Sequence, residues 1–212
     1  LYAAARFCKE QKQKDIILKI SAISTVVIHY SDLWVDYFSN GGWAQIENNH
    51  ILLVHPCNIM MWFLFIVALA DKKDSFVMTL LTEFTFWGGV ICGSIGIIFN
   101  INYGNNPNLL DYDILKGLLS HSTMLFGCIY LFVGKYVKIR VFNVASCLAG
   151  LLFFVLDGVF INSLFRWFGI PSVNAMFLEE SPLPDAPWLS VHLLVIVAII
   201  ILFGSLALYE KK

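Results

Sequence analysis

Apolar residues run in six long blocks, at 16–39, 51–70, 75–99, 114–133, 141–161 and 188–208, each parted from the next by a short polar break. An α-helix needs about 20 largely apolar residues to cross the hydrocarbon of a bilayer, and each block comes close to that length. The pattern predicts an all-α fold: a polytopic transmembrane helical bundle with six spans. Because the breaks are short, one membrane-embedded helical domain over 1–212 is expected rather than two. Composition agrees, since 58% of the 212 residues are hydrophobic, 14% are charged and mean hydropathy is +0.74. Such a chain is too apolar for an ordinary soluble domain. A net charge of −1 gives no support to a broad nucleic-acid surface. There is no internal repeat and no recognisable cleavable signal peptide. The opening Leu1-Tyr2-Ala3-Ala4-Ala5-Arg6-Phe7 reads in two ways. It is either the end of a preceding helix, which would make a seventh span upstream, or a short interfacial helix.

The basic residues settle the expected orientation. Arg6, Lys9, Lys12, Lys14 and Lys19 flank the first block, and Lys72 and Lys73 lie in the second break. Lys135, Lys138 and Arg140 lie in the fourth break, and Lys211 and Lys212 in the tail. With six spans, these twelve of the fourteen Lys and Arg residues share one side, and only Lys116 and Arg166 lie on the other. That second side carries Glu47, Asp111, Asp113, Glu179, Glu180 and Asp185. The positive-inside tendency makes the basic side cytoplasmic, with both ends of the chain there. The expected setting is a cell membrane of bacterial type.

Orientation gives depth. Cys57 is six residues in from the start of its block, His121 seven and His192 four, while Asp157 and Asp32 precede the ends of theirs by four and seven. At a helical rise these groups lie roughly 6–10 Å below the outer boundary, with His29 a little deeper. Ionisable groups in hydrocarbon are costly and face a cavity or one another. A shared layer therefore predicts one polar pocket opening outward. Ser21, Thr25, His29, Asp32 and Asp36 follow spacings of 4, 4, 3 and 4, a single helical stripe that should face the bundle interior. Ser21 and Thr25 are expected to make helix–helix hydrogen bonds. His29 and Asp32 are read either that way or as pocket lining, and Asp36 reaches the interface water.

The chemistry centres on His55-Pro56-Cys57. Proline lacks the backbone donor and its ring clashes with the preceding turn. Either the span kinks there or a helix begins there with Pro56 at its first position. In the second case Cys57 sits at a helix N-terminus, where N–H groups favour thiolate and can hold an oxyanion, with Asn58 as a further donor. The plainer alternative is an inert cysteine beside a packing kink. His121, in Ser120-His121-Ser122-Thr123, is either a base for a thiol or a satisfied core histidine. Asp157 either orients a histidine or pairs with Lys116 or Arg166. Glu83 is read as structural. Gly88, Gly89, Gly93 and Gly96 suit close helix approach. Cys8, Cys92, Cys128 and Cys147 show neither metal-ligand nor CxxC spacing and are read as small apolar residues.

Leu53-Val54-His55-Pro56-Cys57-Asn58-Ile59, then Ser120-His121-Ser122, then Asn174-Ala175-Met176-Phe177-Leu178 with prolines and Trp188 behind it, recur in this order in a known family. The chain resembles the YwaF-like family of integral membrane proteins, which includes animal transmembrane protein 164, over most of its length. The animal relative is described as an acyltransferase that loads polyunsaturated acyl chains onto ether phospholipids through a catalytic cysteine. The resemblance places that cysteine at Cys57 and the later histidine at His121. Ala175 stands where the family pattern has an aromatic residue, a departure that touches any substrate contact made there.

The function expected from residues and resemblance together is lipid acyl transfer or lipid hydrolysis. Cys57 forms a thioester, His121 acts as base, and Asn58, His29, Asp32, Asp157, His192 and Asn174 support them. Phe165-Arg166-Trp167-Phe168-Gly169 would lie in the interface and meet headgroups. Membrane lipids are the expected partners, and no cofactor or metal is expected. Two other classes stay open: a transporter or ligand binder without covalent chemistry, and an accessory subunit. The orientation is directly testable. Single cysteines introduced at Gly104 and at Lys138 should be labelled by an impermeant thiol reagent from opposite faces of the membrane. Labelling from the same face would overturn both the orientation and the depths.

Overall fold

The computed structural model describes residues 8–40, 52–98, 108–171, 173–181 and 191–210. All regular structure among them is helical. In chain order the helices are α1 (Gln11–His29), α2 (Ser31–Asn40), α3 (Pro56–Leu69), α4 (Phe76–Ile98), α5 (Tyr112–Val133), α6 (Asn143–Trp167) and α7 (Val191–Glu210), with a 3-10 turn at Ala175–Phe177 before α7. Each expected span has its helix, α1 and α2 together forming the first. Gln11–Ser39, Phe76–Ile98, Tyr112–Val133 and Asn143–Trp167 are long and apolar enough to cross a membrane, and Pro56–Leu69 and Val195–Leu208 are shorter apolar helices. The opening residues 1–7 that prompted the two readings above lie outside the described residues.

Two boundaries differ from the hydropathy pattern for local physical reasons. The first span is interrupted at Tyr30 (φ −89°, ψ 8°). There the Ser31 hydroxyl donates back to the Ile28 carbonyl at 2.7 Å and the Asp32 carboxylate accepts from the Leu33 amide at 3.0 Å. Side chains that bond nearby backbone in this way compete with the helix ladder and bend it. The second span is helical only from Pro56 onward, so the proline starts a helix instead of kinking one. α3 has 14 residues. At 1.5 Å per residue that is about 21 Å, well short of the roughly 30 Å of hydrocarbon.

Contacts gather the chain into two compact units, Leu1–Leu52 with Cys57–Lys138, and Leu53–Pro56 with Ile139–Lys212. In the first, α5 packs along α1 and α4. Small residues make this possible: a Cβ added at Gly89 would meet the Cys128 thiol, and one at Gly93 would come within 3.0 Å of Leu125. At Gly127 the same test meets Ser21 of α1 at 2.7 Å and Leu64 of α3 at 2.8 Å, so three helices converge on one glycine. Lipid tails are as apolar as leucine, so close packing and interhelical hydrogen bonds have to hold such helices together. Ser21 donates to the Thr123 carbonyl at 2.8 Å and Thr25 to the Thr123 hydroxyl at 3.0 Å, the helix–helix role expected of both. Ile59, Met60, Met61, Leu64, Val67 and Ala68 of α3 are fully buried.

In the second unit, the Val141 amide donates to Glu210 at 3.1 Å, joining the chain just before α6 to the end of α7. The turn at 175–177 is pinned from several sides. Asn162, buried in α6, accepts from the Ala175 amide at 2.8 Å and donates to the Ala175 carbonyl at 3.4 Å. Gly158 makes the room, since a Cβ there would come within 2.9 Å of the Ala175 carbonyl. The Met176 amide donates to the Val54 carbonyl at 2.8 Å. Asn174, Met176 and Phe177 all have positive φ (49°, 54° and 55°), a conformation costing roughly 1–2 kcal/mol per non-glycine residue. Fixed contacts outweigh that cost here. Replacing Asn162 with Ala strands both polar groups of Ala175 in a buried site, an expected loss of about 1–3 kcal/mol in unfolding free energy in detergent. The Ala175 amide should then exchange its hydrogen faster, and unchanged exchange would show that Asn162 does not hold the turn.

Candidate functional site

Cys57, Asn58, Tyr30, Asp32 and His121 all belong to the first unit, each with its own partners. Cys57 is the second residue of α3, half-buried, in the first turn, where amides have no partner within the helix. Its thiol donates to the Asn58 side-chain oxygen at 3.5 Å, a sulfur hydrogen bond. The Tyr30 phenol lies within electrostatic range of both Cys57 and Asp32, and it accepts from the Trp62 indole at 2.8 Å. Cys92 of α4 lies within electrostatic range of Cys57.

His121 meets the same helix α4 one turn further on. A Cβ added at Gly96 would run into the imidazole at Cδ2 and Nε2, so the ring occupies the space that glycine leaves empty. Its Nδ1 is 2.8 Å from the Gly117 carbonyl oxygen. A carbonyl can only accept, so Nδ1 carries the hydrogen and Nε2 of the neutral ring is left with its lone pair. Residues 92 and 96 are four apart and share a face of α4, so that helix presents Cys92 towards Cys57 and Gly96 to His121.

An ion pair closes this end of the unit. The Lys116 ammonium is 2.7 Å from the Asp32 carboxylate, with side chains only 16% and 6% exposed. Ser31 and Tyr112 share a hydrogen bond at 2.7 Å beside it. Asp32, expected among the residues supporting Cys57 and His121, has one carboxylate oxygen taken by Lys116 and the other by the Leu33 amide. His29, at the end of α1, packs edge-on against Tyr30 with ring centroids 4.9 Å apart.

In the second unit, His55 stacks on Phe177 at 5.5 Å between centroids, and its buried Nδ1 has no hydrogen-bond partner among the described residues. Asn174 shapes the loop: its side-chain oxygen accepts from the Glu179 and Glu180 amides at 3.0 and 3.1 Å, and its amide donates to the Glu180 carbonyl at 2.9 Å. Asp157 is half-buried, with one carboxylate oxygen unbonded. Of the cations suggested for it, Lys116 binds Asp32 and Arg166 binds Glu179 at 3.2 Å. His192 lies in α7, its side chain outside the described residues. Among the described residues no group of three His, Cys, Asp or Glu side chains is arranged to hold a metal.

Tyr30, Trp62 and the Asp32–Lys116 pairing were not foreseen. The cue for Tyr30 is its place between His29 and Asp32 at the helix break, where a phenol can reach a neighbouring span. No cue in the sequence selects Lys116 for Asp32 over Asp157.

A buried ion pair, a hydrogen-bonded polar stripe and a broken helix among long apolar helices define a polytopic helical membrane protein. The chain belongs to the TMEM164 family, whose family model matches residues 2–209. No curated protein and no solved structure matches it.

The seat of His121 can be tested without any activity. Gly96→Ala should destabilise the protein by about 1–3 kcal/mol through overpacking, read as thermal unfolding in detergent. Adding His121→Ala should recover most of that loss, because the ring is what the new methyl meets. Simply additive losses would mean that the ring does not lie over Gly96.

Proposed function

We propose that the protein transfers or hydrolyses lipid acyl chains through a thioester on Cys57, with His121 as the base. The observation that supports this reading is the His121 ring seated over Gly96 of α4, its Nδ1 committed to Gly117 and its Nε2 left as the acceptor, in the same unit as Cys57 at the start of α3. Membership of the TMEM164 family supports a membrane setting in which lipids are at hand.

The chemistry balances within these groups. His121 Nε2 takes the thiol proton, and the Cys57 sulfur attacks an ester carbonyl. The amides of the first turn of α3 are the donors available to the developing oxyanion. The carbon–oxygen bond of the ester breaks, the leaving alkoxide takes the proton from the imidazolium, and a thioester remains. An acceptor hydroxyl gives transfer and water gives hydrolysis. Either one loses its proton to His121 as it attacks, and the carbon–sulfur bond breaks to restore the thiol. Substrates are membrane lipids, and the bilayer supplies them sideways to a protein whose outer surface is largely apolar.

Intact mass after incubation with phospholipid should show an acyl adduct on Cys57. Cys57→Ala should abolish lipid turnover at a stability cost of about 1 kcal/mol. Cys57→Ser should also be poor, since a hydroxyl ionises far less readily than a thiol. His121→Ala should slow both acylation and release. Full turnover in Cys57→Ala would remove the covalent mechanism, and a transport role in its place would leave Cys57→Ser largely functional.

A further inference from the structure

At the end of α5 away from Lys116, the first unit carries a second polar feature that the chemistry above does not use. A cleft of about 260 Å³ is lined by Cys8, Lys9 and Lys14 on one side and by Tyr130, Gly134 and Lys135 on the other. None of the three lysines forms an ion pair among the described residues. Of the acids beside it, Asp15 is occupied, since Tyr136 donates to it at 2.6 Å and Gln11 at 3.1 Å, and Glu10 caps the first turn of α1. Burial, and next the hydrogen bond to Asp15, push the Tyr136 phenol up, so it stays a donor. Three lysines against two engaged carboxylates leave the cleft positive.

Two further observations point to a ligand. Tyr130 is only 1% exposed, yet its hydroxyl makes no hydrogen bond to any described residue, lines the cleft and lies within electrostatic range of Cys8 and Asp15. A phenol in such a place normally finds a partner. Lys135 has φ 68° at the position following the α5 cap, where its amide bonds to the Phe132 carbonyl at 3.0 Å and the next amide to the Leu131 carbonyl at 2.9 Å. Glycine is the usual residue at that position of such a cap. A lysine there accepts backbone strain, and it places an ammonium at the cleft.

We propose that this cleft binds the phosphate of an anionic membrane lipid, with Lys9, Lys14 and Lys135 balancing its charge and Tyr130 donating a hydrogen bond. The location fits the ligand. The basic residues of the chain gather on this side of the spans, where polybasic segments meet lipid phosphates. A phosphate oxygen accepts from both ammonium and phenol, whereas a zwitterionic headgroup brings its own cation into a cleft that already holds three.

The test uses the purified full chain in detergent, with native mass spectrometry to count retained lipid. Phosphatidylglycerol should be retained at one per chain in preference to phosphatidylcholine. Lys9→Gln, Lys14→Gln and Lys135→Gln should each weaken binding about fivefold, and the three together about a hundredfold. Tyr130→Phe should also weaken it. Lys135→Gly separates binding from folding: it should lose about the same fivefold while unfolding at an equal or higher temperature, because glycine relieves the positive φ. Lys72→Gln with Lys138→Gln, basic residues of the same side outside the cleft, should change nothing. Equal loss in that control would overturn the site in favour of diffuse charge, as would undiminished binding in the triple variant. Displacement of the lipid by millimolar inorganic phosphate would assign the cleft to a free phosphate and overturn the lipid.

Discussion

Backbone polar groups in hydrocarbon have no water to turn to, and this constraint shapes the chain around Pro56. Pro56 begins α3, and residues 52–55 before it run through apolar sequence without a helical ladder. Non-helical backbone survives at such depth only where protein supplies the missing partners. Here the Val54 carbonyl receives the Met176 amide at 2.8 Å, and Val54 itself is 1% exposed. To deliver that amide, the turn at 175–177 takes up three positive φ angles and leans on Asn162, Gly158 and the Asn174 side chain. One missing helical turn is thus made good by a strained loop, and the strain is held by buried hydrogen bonds.

The same economy of space governs α5. Its packing against α4 relies on glycines that leave room for a thiol at Gly89, a leucine at Gly93 and an imidazole at Gly96. The first two are ordinary close packing of apolar helices. The third differs, because the group admitted is a histidine whose tautomer is set by the Gly117 carbonyl. One stripe of small residues therefore both joins two helices and seats a candidate base. Beyond it, the Asp32–Lys116 pair and the Ser31–Tyr112 hydrogen bond tie α2 to the start of α5. Removing one partner of such a buried pair would cost several kcal/mol, so these links hold the polar end in register.

The two ends of α5 carry opposite chemistry for a common reason. A helix start collects acceptors and a helix end collects cations, following the backbone dipole. Asp111 caps the first amides of α5, accepting from Asp113 and Ile114. At the far end, Lys135 follows the last turn. The membrane adds its own asymmetry, since basic residues accumulate on one side. A cationic cleft at the end of α5 is where both tendencies coincide.

Much of this was legible in the amino-acid order. Hydropathy alone determined the helical class, the number of apolar segments and the spacing of the polar stripe, because in lipid the length and apolarity of a segment leave the backbone no alternative to a helix. The Ser21 and Thr25 hydrogen bonds and the glycine packing followed from spacing of three and four, which a helix turns into shared faces. The His-Pro-Cys triplet marked Cys57, yet left kink and helix start equally open. Tertiary structure decided between them: α3 starts at Pro56, and the Val54 carbonyl just before it takes the Met176 amide. It also decided that Asp32 meets Lys116, that Arg166 meets Glu179, and that His121 rests on Gly96. Such pairings join residues distant in sequence across helix interfaces. Local periodicity says which face of a helix a residue occupies, and it is silent on which neighbour that face will meet.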